Sequence, residues 1–187
     1  MARLTREDWI AAGFRALVRG GHVALRVEPV ARDVGATKGS FYWHFADPSD
    51  WHLGMLTHWS ERALINVITA MDALPPGEAR LRGVIDWATT ARDPLDGGVL
   101  AEPALRDWAR YDARVAEAVC KVDQARIDWL VDELTTVGCP ANAARPFYAA
   151  LIGLVALQLS DDHTRVDLNL LLDALLHTLA PVGASGL

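Results

Sequence analysis

The sequence predicts an all-α protein of about nine helices, and three observations support this fold class. Apolar residues recur three and four positions apart through most of the 187-residue chain. No segment shows the strict alternation of apolar and polar residues that marks a half-buried strand. The periodic segments are separated by stretches that contain glycine or proline, which end helices and form turns.

The first predicted helix begins at Thr5. Thr5 and Asp8 have the spacing of a capping box, in which each side chain bonds the backbone N–H of the other residue. Apolar residues at helical spacing follow, and these are Ile10, Phe14 and Leu17. Gly20 and Gly21 are expected to end this helix, because glycine readily adopts the left-handed conformation found after helix C-termini.

The second predicted helix runs from Val27 to Val34. Pro29 falls in its first turn, where the missing backbone N–H is not needed. Gly35 is expected to stop the helix, and Thr37 to cap a third one. Two short helices joined by a glycine-containing turn are typical of a helix-turn-helix motif.

The stretch from Thr37 to Phe45 is TKGSFYWHF. Phe41 and Phe45 are four residues apart, so both lie on one face of a helix, and that face can be buried. The remaining faces carry hydroxyl, ammonium and aromatic groups, which suit contacts with DNA phosphates and base edges. The alternative is a buried aromatic cluster with no binding role, and the nine residues by themselves do not separate the two interpretations.

With its flanks, this stretch resembles the TetR family of bacterial transcriptional regulators. The resemblance is carried by Val30-Ala31, Val34-Gly35-Ala36-Thr37-Lys38-Gly39 and Phe41-Tyr42-Trp43-His44-Phe45. It is specific over residues 5–47, and beyond them it extends only to length, helicity and layout. The resemblance implies that residues 1–47 form a helix-turn-helix DNA-binding domain and residues 48–187 a helical regulatory, ligand-binding and dimerisation domain.

The resemblance also implies which residues contact DNA. They are Arg26, Thr37, Lys38, Gly39, Ser40, Tyr42, Trp43 and His44. Two departures from the family pattern affect this set. Pro48 stands where the family often has a lysine or arginine, so one phosphate contact is lost. Arg26 and Val27 stand where a threonine or serine often opens the second helix, and Arg26 can restore such a contact.

The charge distribution agrees with a DNA-facing N-terminal region. The whole chain has a net charge of −6, whereas residues 1–47 hold seven basic and five acidic residues, a balance of +2. The remainder therefore carries −8. A mildly basic region on an acidic protein suits a DNA reader whose larger part faces away from the duplex.

A fourth helix is expected to begin at Asp47-Pro48, a strong start signal, and to reach Leu74. Trp51, Met55 and Trp59 recur at spacing four within it, most simply as core residues. Further helices are predicted over 78–91, 103–108, 112–137, 141–159 and 166–179. The last two are apolar on more than one face, so we expect them to form a homodimer interface.

Seven tryptophans in a chain of 187 residues are more than packing alone requires. Small-molecule pockets are mostly apolar and aromatic, so aromatic residues of the C-terminal region are candidates for a ligand pocket. These are Trp59, Trp87, Trp108, Tyr111, Trp129 and Tyr148. They serve equally well as ordinary core residues, and the sequence does not decide between the two roles.

Several other functions are not indicated. No hydrolase, metalloprotease or nucleotide-binding motif is present, so we expect no enzyme activity and no cofactor. His52 and His58 are six residues apart, which does not match metal-ligand spacing on a helix. Cys120 and Cys139 form no paired motif, which suggests a reduced cytoplasm. No apolar run is long enough for a membrane span, and the N-terminus does not resemble a signal peptide.

Together these features predict a sequence-specific transcriptional regulator. The resemblance implies a repressor that binds a palindromic double-stranded DNA operator as a homodimer. It leaves that operator when a small, largely apolar effector binds. A ligand-independent regulator, an activator and a helical protein-interaction module remain as alternatives.

Overall fold

A computed structural model of the chain describes residues 4–89, 100–160 and 168–179. Most of these residues are helical, and none of them forms a strand. The predicted all-α class is therefore confirmed. The bounds of the α-helices are α1 Arg6–Gly20, α2 Val27–Asp33, α3 Lys38–Phe41, α4 Pro48–Glu61, α5 Val67–Asp72, α6 Glu78–Thr89, α7 Ala101–Trp108, α8 Ala113–Thr136, α9 Ala144–Ser160 and α10 Leu168–Leu179.

Helix starts in the N-terminal region follow the predicted capping signals. Thr5 and Asp8 form a reciprocal capping box at the start of α1. The Thr37 hydroxyl accepts a bond of 3.2 Å from the Ser40 N–H at the start of α3. Asp47 caps α4 with a bond of 2.9 Å from the Asp50 N–H.

Two glycines end the first two helices as expected. Gly21, after α1, has φ +66°, and Gly35, after α2, has φ +67°. A side chain at either position would be strained, because L residues rarely adopt this left-handed conformation. The turn between α2 and α3 therefore depends on Gly35.

Two predicted helices differ from the structure. The fourth helix is predicted to reach Leu74, whereas in the structure a π-helical turn, Arg62–Asn66, separates α4 from α5, and α5 ends at Asp72. The helix at Thr37 to Phe45 is shorter than predicted, because residues 42–44 form turns after α3 ends. The His44 N–H bonds the Phe41 carbonyl in a tighter i to i+3 pattern at 2.9 Å.

The chain divides by packing into two compact units. Unit 1 comprises Met1–Ala63 and Ala91–Val122, and unit 2 comprises Leu64–Thr90 and Asp123–Leu187. The predicted domain boundary between residues 47 and 48 does not coincide with a boundary of these packed units, and it stays a prediction. Residues 4–47 pack within unit 1, and the role of the N-terminal region as a DNA-binding domain stays a proposal.

Unit 1 has a core rich in aromatic side chains, built from α1, α3, α4 and α7. Its largest fully buried side chains are Trp9, Phe14, Leu17, Phe41, Phe45, Trp51, Met55 and Leu105. The predicted apolar face of α1 is buried, as are Trp51, Met55 and Trp59 on α4. Helices α1 and α4 approach each other closely at Gly13, where a Cβ atom would lie 2.8 Å from the Trp51 ring.

Unit 2 has a separate core formed by α6, α8, α9 and α10. Its buried members include Leu81, Leu130, Leu134, Phe147 and Leu172. No helix in the described parts of the chain is long and apolar enough to cross a membrane. Residues 90 and 91 of the predicted helix 78–91, and residues 166 and 167 of the predicted helix 166–179, lie outside the described ranges.

Candidate nucleic-acid interface

The helix-turn-helix region is held together by apolar contacts on its inner side. Val27, Val30 and Ala31 of α2 are buried. An ion pair between Arg19 and Asp33 joins α1 to α2. Helix α3 is therefore placed by a packed brace and by the turn at Gly35, with its outer face directed to solvent.

Phe41 is the residue that fixes α3 to the rest of unit 1. Its ring is fully buried and lies edge-on to Trp9, at 5.4 Å between centroids, and to Trp51, at 5.5 Å. It also stacks on Phe45 at 5.1 Å. Edge-to-face rings of this kind stabilise beyond the area they bury. The predicted buried face of Phe41 and Phe45 is thus confirmed.

Most residues predicted to contact DNA lie on the opposite, solvent-facing side. The Trp43 side chain is 77% exposed and Tyr42 is 47% exposed. A single exposed apolar residue needs no explanation, but neighbouring exposed aromatic residues mark a candidate interaction surface. The other exposed members of the set are Arg26, Thr37, Lys38 and Gly39.

Ser40 and His44 are half-buried, so they are less accessible than the rest of the predicted set. The His44 Nε2 atom is buried and has no hydrogen-bond partner among the described residues. A shallow surface depression is lined by Thr37, Gly39, Ser40 and Trp43. The structure thus brings four of the predicted DNA-contacting residues to one site on the surface.

Lys38 has a partner that the sequence did not reveal. Its Nζ donates to Glu28 Oε1 at 2.6 Å, and both side chains are more than half exposed. The hydrogen bond from Lys38 lowers the pKa of Glu28, and the same bond raises the pKa of Lys38. Both groups are therefore held in their charged forms. In the sequence, this ion pair is indicated only by the opposite charges of the two residues, which lie on two helices predicted to pack together.

The residues proposed for a ligand pocket are divided between the two units. In unit 1, Trp59 and Trp108 are buried, and Trp108 meets His52 edge-on at 5.1 Å between ring centroids. Tyr111 is 67% exposed and stacks on His22 at 4.7 Å. Tyr111 therefore lies on the surface of unit 1 rather than inside it.

In unit 2, Trp87 and Trp129 are half-buried and Tyr148 is buried. The Tyr148 hydroxyl donates to Asp123 at 2.6 Å and accepts from Arg126 at 3.3 Å. Trp129 and Tyr148 both belong to the packed core of unit 2. The ligand-binding role of the six aromatic residues remains a proposal.

No protein-family model matches the sequence, and no curated protein matches it either. Solved structures do match it across nearly the whole chain. A protein described as a TetR-family transcriptional regulator from Rhodococcus sp. has a TM-score of 0.76 at 20% identity, covering 93% of this chain and 97% of its own.

Two further similar structures contain bound small molecules. A transcriptional regulator from Saccharomonospora viridis in complex with choline has a TM-score of 0.72 at 16% identity, over 94% of this chain and 97% of its own. The multidrug binding protein EbrR complexed with malachite green has a TM-score of 0.71 at 24% identity, covering 95% of this chain and 98% of its own. From this breadth of structural agreement, the chain has the fold of TetR-family transcriptional regulators.

Proposed function

We propose that this protein is a TetR-family transcriptional regulator that binds double-stranded DNA in a sequence-specific manner. The observation that carries the proposal is the two-sided character of α3 and the turn after it. Phe41 and Phe45 are buried, while Thr37, Lys38, Tyr42 and Trp43 face solvent. A recognition helix needs this arrangement, because one side holds the brace and the other enters the major groove.

The experiment that tests DNA binding is a gel shift with the intergenic region beside the protein's own gene. We expect a retarded complex that survives excess unrelated duplex and weakens as salt increases. A protein that binds neither this region nor any duplex selected from a random library is not a DNA-binding regulator. The alternative of a helical protein-interaction module would then be favoured.

We further propose that the regulator acts as a homodimer through α9 and α10. These helices are rich in apolar residues, yet Leu170 remains 65% exposed and Leu171, Leu175 and Leu176 are only partly buried in the single chain. A second copy of the same face would cover them, in a two-fold interface. Sedimentation at micromolar concentration that gives a monomer would contradict this assignment.

A dimer restricts where the two recognition helices can bind. Two-fold symmetry presents them to two half-sites at a set spacing, so the operator is expected to be palindromic. A conformational change that alters the distance between the two recognition helices can therefore regulate DNA binding. A ligand that prefers the conformation with the wrong spacing releases the protein from DNA.

The proposed effector is a small, largely apolar molecule, and the proposed role is repression relieved by that effector. Similar structures bind choline and malachite green. Both are organic cations, but malachite green has far more apolar area, so a comparison of the two is the first test of the proposed apolar character. The π-helical turn Arg62–Asn66 lies in the helical run that follows Asp47. Such turns often occur at functional sites in helices. This observation supports the proposal that ligand binding changes the conformation of the segment made of α4, the π-helical turn and α5.

Quenching of tryptophan fluorescence measures ligand binding, and it is repeated with operator DNA present. Thermodynamic linkage requires that an effector which releases DNA bind more weakly to the DNA complex. A ligand with equal affinity for free and DNA-bound protein is not an inducer. A ligand that binds more tightly to the complex would indicate a corepressor or an activator instead.

A further inference from the structure

We infer that Glu28 and Lys38 act together as one base-reading unit that recognises a C·G base pair in the major groove. This inference rests on the proposed DNA-binding function. It adds an acidic residue, Glu28, to the candidate DNA-facing surface. The residues predicted from the sequence to contact DNA contribute only hydrogen-bond donors, positive charges and aromatic rings to that surface. The starting observation is the ion pair between the two side chains at 2.6 Å.

The position of the pair places it on the candidate DNA-facing surface. Glu28 lies in the first turn of α2, and Lys38 is the first residue of α3. Lys38 is directly next to Thr37 and Gly39, which line the surface depression beside Trp43. Both charged side chains are more than half exposed, so their outer atoms remain available for a ligand.

A carboxylate on a DNA-facing surface needs a physical explanation. Phosphates repel it, and it has no hydrogen atom to donate to the acceptors of guanine or thymine. The donors that a major groove offers to a carboxylate are the amino groups of cytosine N4 and adenine N6. Acidic side chains in major-groove contacts characteristically accept from cytosine.

The ion pair matches the edge of a C·G pair in both polarity and spacing. Lys38 donates toward guanine O6 and N7, while Glu28 accepts from cytosine N4. On the base pair, the cytosine amino group and guanine O6 are hydrogen-bonded neighbours, and on the protein the Nζ and Oε1 atoms lie 2.6 Å apart. A donor beside an acceptor on the protein can thus face an acceptor beside a donor on the DNA.

The pairing also supports the charged state that this readout needs. The Lys38 hydrogen bond lowers the pKa of Glu28, so its carboxylate stays ionised and acts only as an acceptor. The ammonium group has three donors, of which Glu28 uses one in this structure. The other donors can serve the guanine without breaking the ion pair.

The alternative is that Glu28 only weakens DNA binding in general. In that case the carboxylate neutralises Lys38 and repels phosphates, with no preference for any base. The two roles differ in a measurable way, because a general electrostatic effect changes affinity for all sequences alike. A base-reading role changes the preference at one position in each half-site.

The test is selection of binding sites from a random double-stranded DNA library by wild-type protein and by Glu28→Gln and Lys38→Met variants. We expect the wild type to prefer C·G at one position per half-site, and both variants to lose that preference at the same position. Glutamine offers an amide suited to adenine, so Glu28→Gln is expected to shift this position toward A·T. Affinity for the wild-type site should fall by about 5- to 150-fold, the usual discrimination of one good base contact.

A matched control is available on α8. Glu117 and Lys121 form a similarly exposed ion pair at the same distance of 2.6 Å. Glu117→Gln removes the same charge from a helix outside the helix-turn-helix region, so it should leave base preference unchanged. Melting temperatures of all variants should match the wild type, because the substituted side chains are exposed.

Three outcomes would overturn the inference. Glu28→Gln could raise affinity for all duplexes equally, or it could leave base preference unaltered. The two variants could also lose preference at different positions. In each case the wild type still selects a sequence, so the proposed function stands. Failure of the wild type to bind any duplex would overturn both.

Discussion

The indole Nε1 of Trp51 donates a hydrogen bond of 3.0 Å to the backbone carbonyl of Trp9. This buried bond joins α4 to α1, and the two indole rings flank Phe41 on α3. Three helices of unit 1 therefore meet at one aromatic contact. The position of the candidate recognition helix depends on it, because Phe41 is the residue through which α3 packs.

Trp51→Phe removes this hydrogen bond and leaves space where the second ring of the indole packed. We expect the free energy of unfolding to fall by about 1–3 kcal/mol, as measured by urea denaturation. Trp43→Phe is the control, since the Trp43 side chain is 77% exposed. Its effect on stability should stay within about 0.5 kcal/mol. Equal losses from both substitutions would contradict the assigned roles.

Gly13→Ala tests the close approach of α1 and α4. The new Cβ would lie 2.5 Å from the Met55 sulfur and 2.8 Å from the Trp51 ring. Overpacking against a buried indole should destabilise the protein by about 1–3 kcal/mol. Gly153→Ala is the comparison, because outside its own turn of helix no atom of the described residues lies within 4 Å of the added methyl group. Within a single chain that substitution should be neutral or stabilise α9 slightly, through the higher helix propensity of alanine. A loss of stability there would instead place Gly153 against the second copy in the proposed dimer.

Glu133→Ala tests a buried charge in unit 2. Glu133 is 5% exposed, accepts from the Gly77 N–H at 2.6 Å and pairs with Arg80 at 2.9 Å. Removing the carboxylate leaves a buried N–H without its bond and a guanidinium with one partner fewer, so the loss of stability should be about 3 kcal/mol. Glu117→Ala removes an exposed ion pair and should change stability by less than about 1 kcal/mol. A neutral result for Glu133→Ala would mean that water replaces the carboxylate.

The buried imidazole of His52 should make the free energy of unfolding depend on pH. Burial lowers the pKa of His52 below the ordinary histidine value of 6.5, although a hydrogen bond with the Leu25 backbone acts in the opposite direction. Between the folded pKa and 6.5 the unfolded state binds more protons, so stability rises with pH in that window and is lost as pH falls through it. Urea unfolding at about pH 7.5, 6.5 and 5.5 measures the effect. His52→Gln should flatten the dependence below pH 6.5; an unchanged slope would assign it to other groups.

Phe45→Ala should lower stability, whereas Tyr42→Ala should lower DNA affinity, although the two residues are only three positions apart. Phe45 is buried against Phe41, so its removal should cost about 3–5 kcal/mol and lower the melting temperature. Tyr42 is 47% exposed, so its removal should reduce DNA affinity while the fold stays intact. Gel shifts and thermal melts of both variants make the comparison. Similar losses of stability would indicate an aromatic core without a reading face.

Local signals predicted the α3 region well, because its structure depends on neighbours in the chain. Thr37 caps α3, Gly35 permits the turn, and Phe41 and Phe45 share a face because they are four residues apart. The length of α3 was overestimated. Apolar spacing does not distinguish a second helical turn from the tighter turns that follow Phe41 here, since both keep the two rings on one side.

The partners of these residues could not be read from local patterns. Trp9 flanks Phe41 from a helix about thirty residues earlier, and periodicity along one helix does not say which other helix it meets. The pairing of Lys38 with Glu28 likewise depends on how α2 crosses α3. Glu133 stands beside Asp132 in the sequence, and nothing in that local pattern indicates that Glu133 is buried and accepts a hydrogen bond from a turn 56 residues away.

The sequence by itself determined the helical class, the capped starts of α1, α3 and α4, and which side of the α3 region is apolar. Each of these follows from interactions within about four residues, which composition and spacing describe directly. Only the tertiary structure decided that Phe41 lies between Trp9 and Trp51, and that Glu28 reaches Lys38. Such contacts join residues distant in the chain, so they depend on the packing angles and distances of whole helices, which no local pattern specifies.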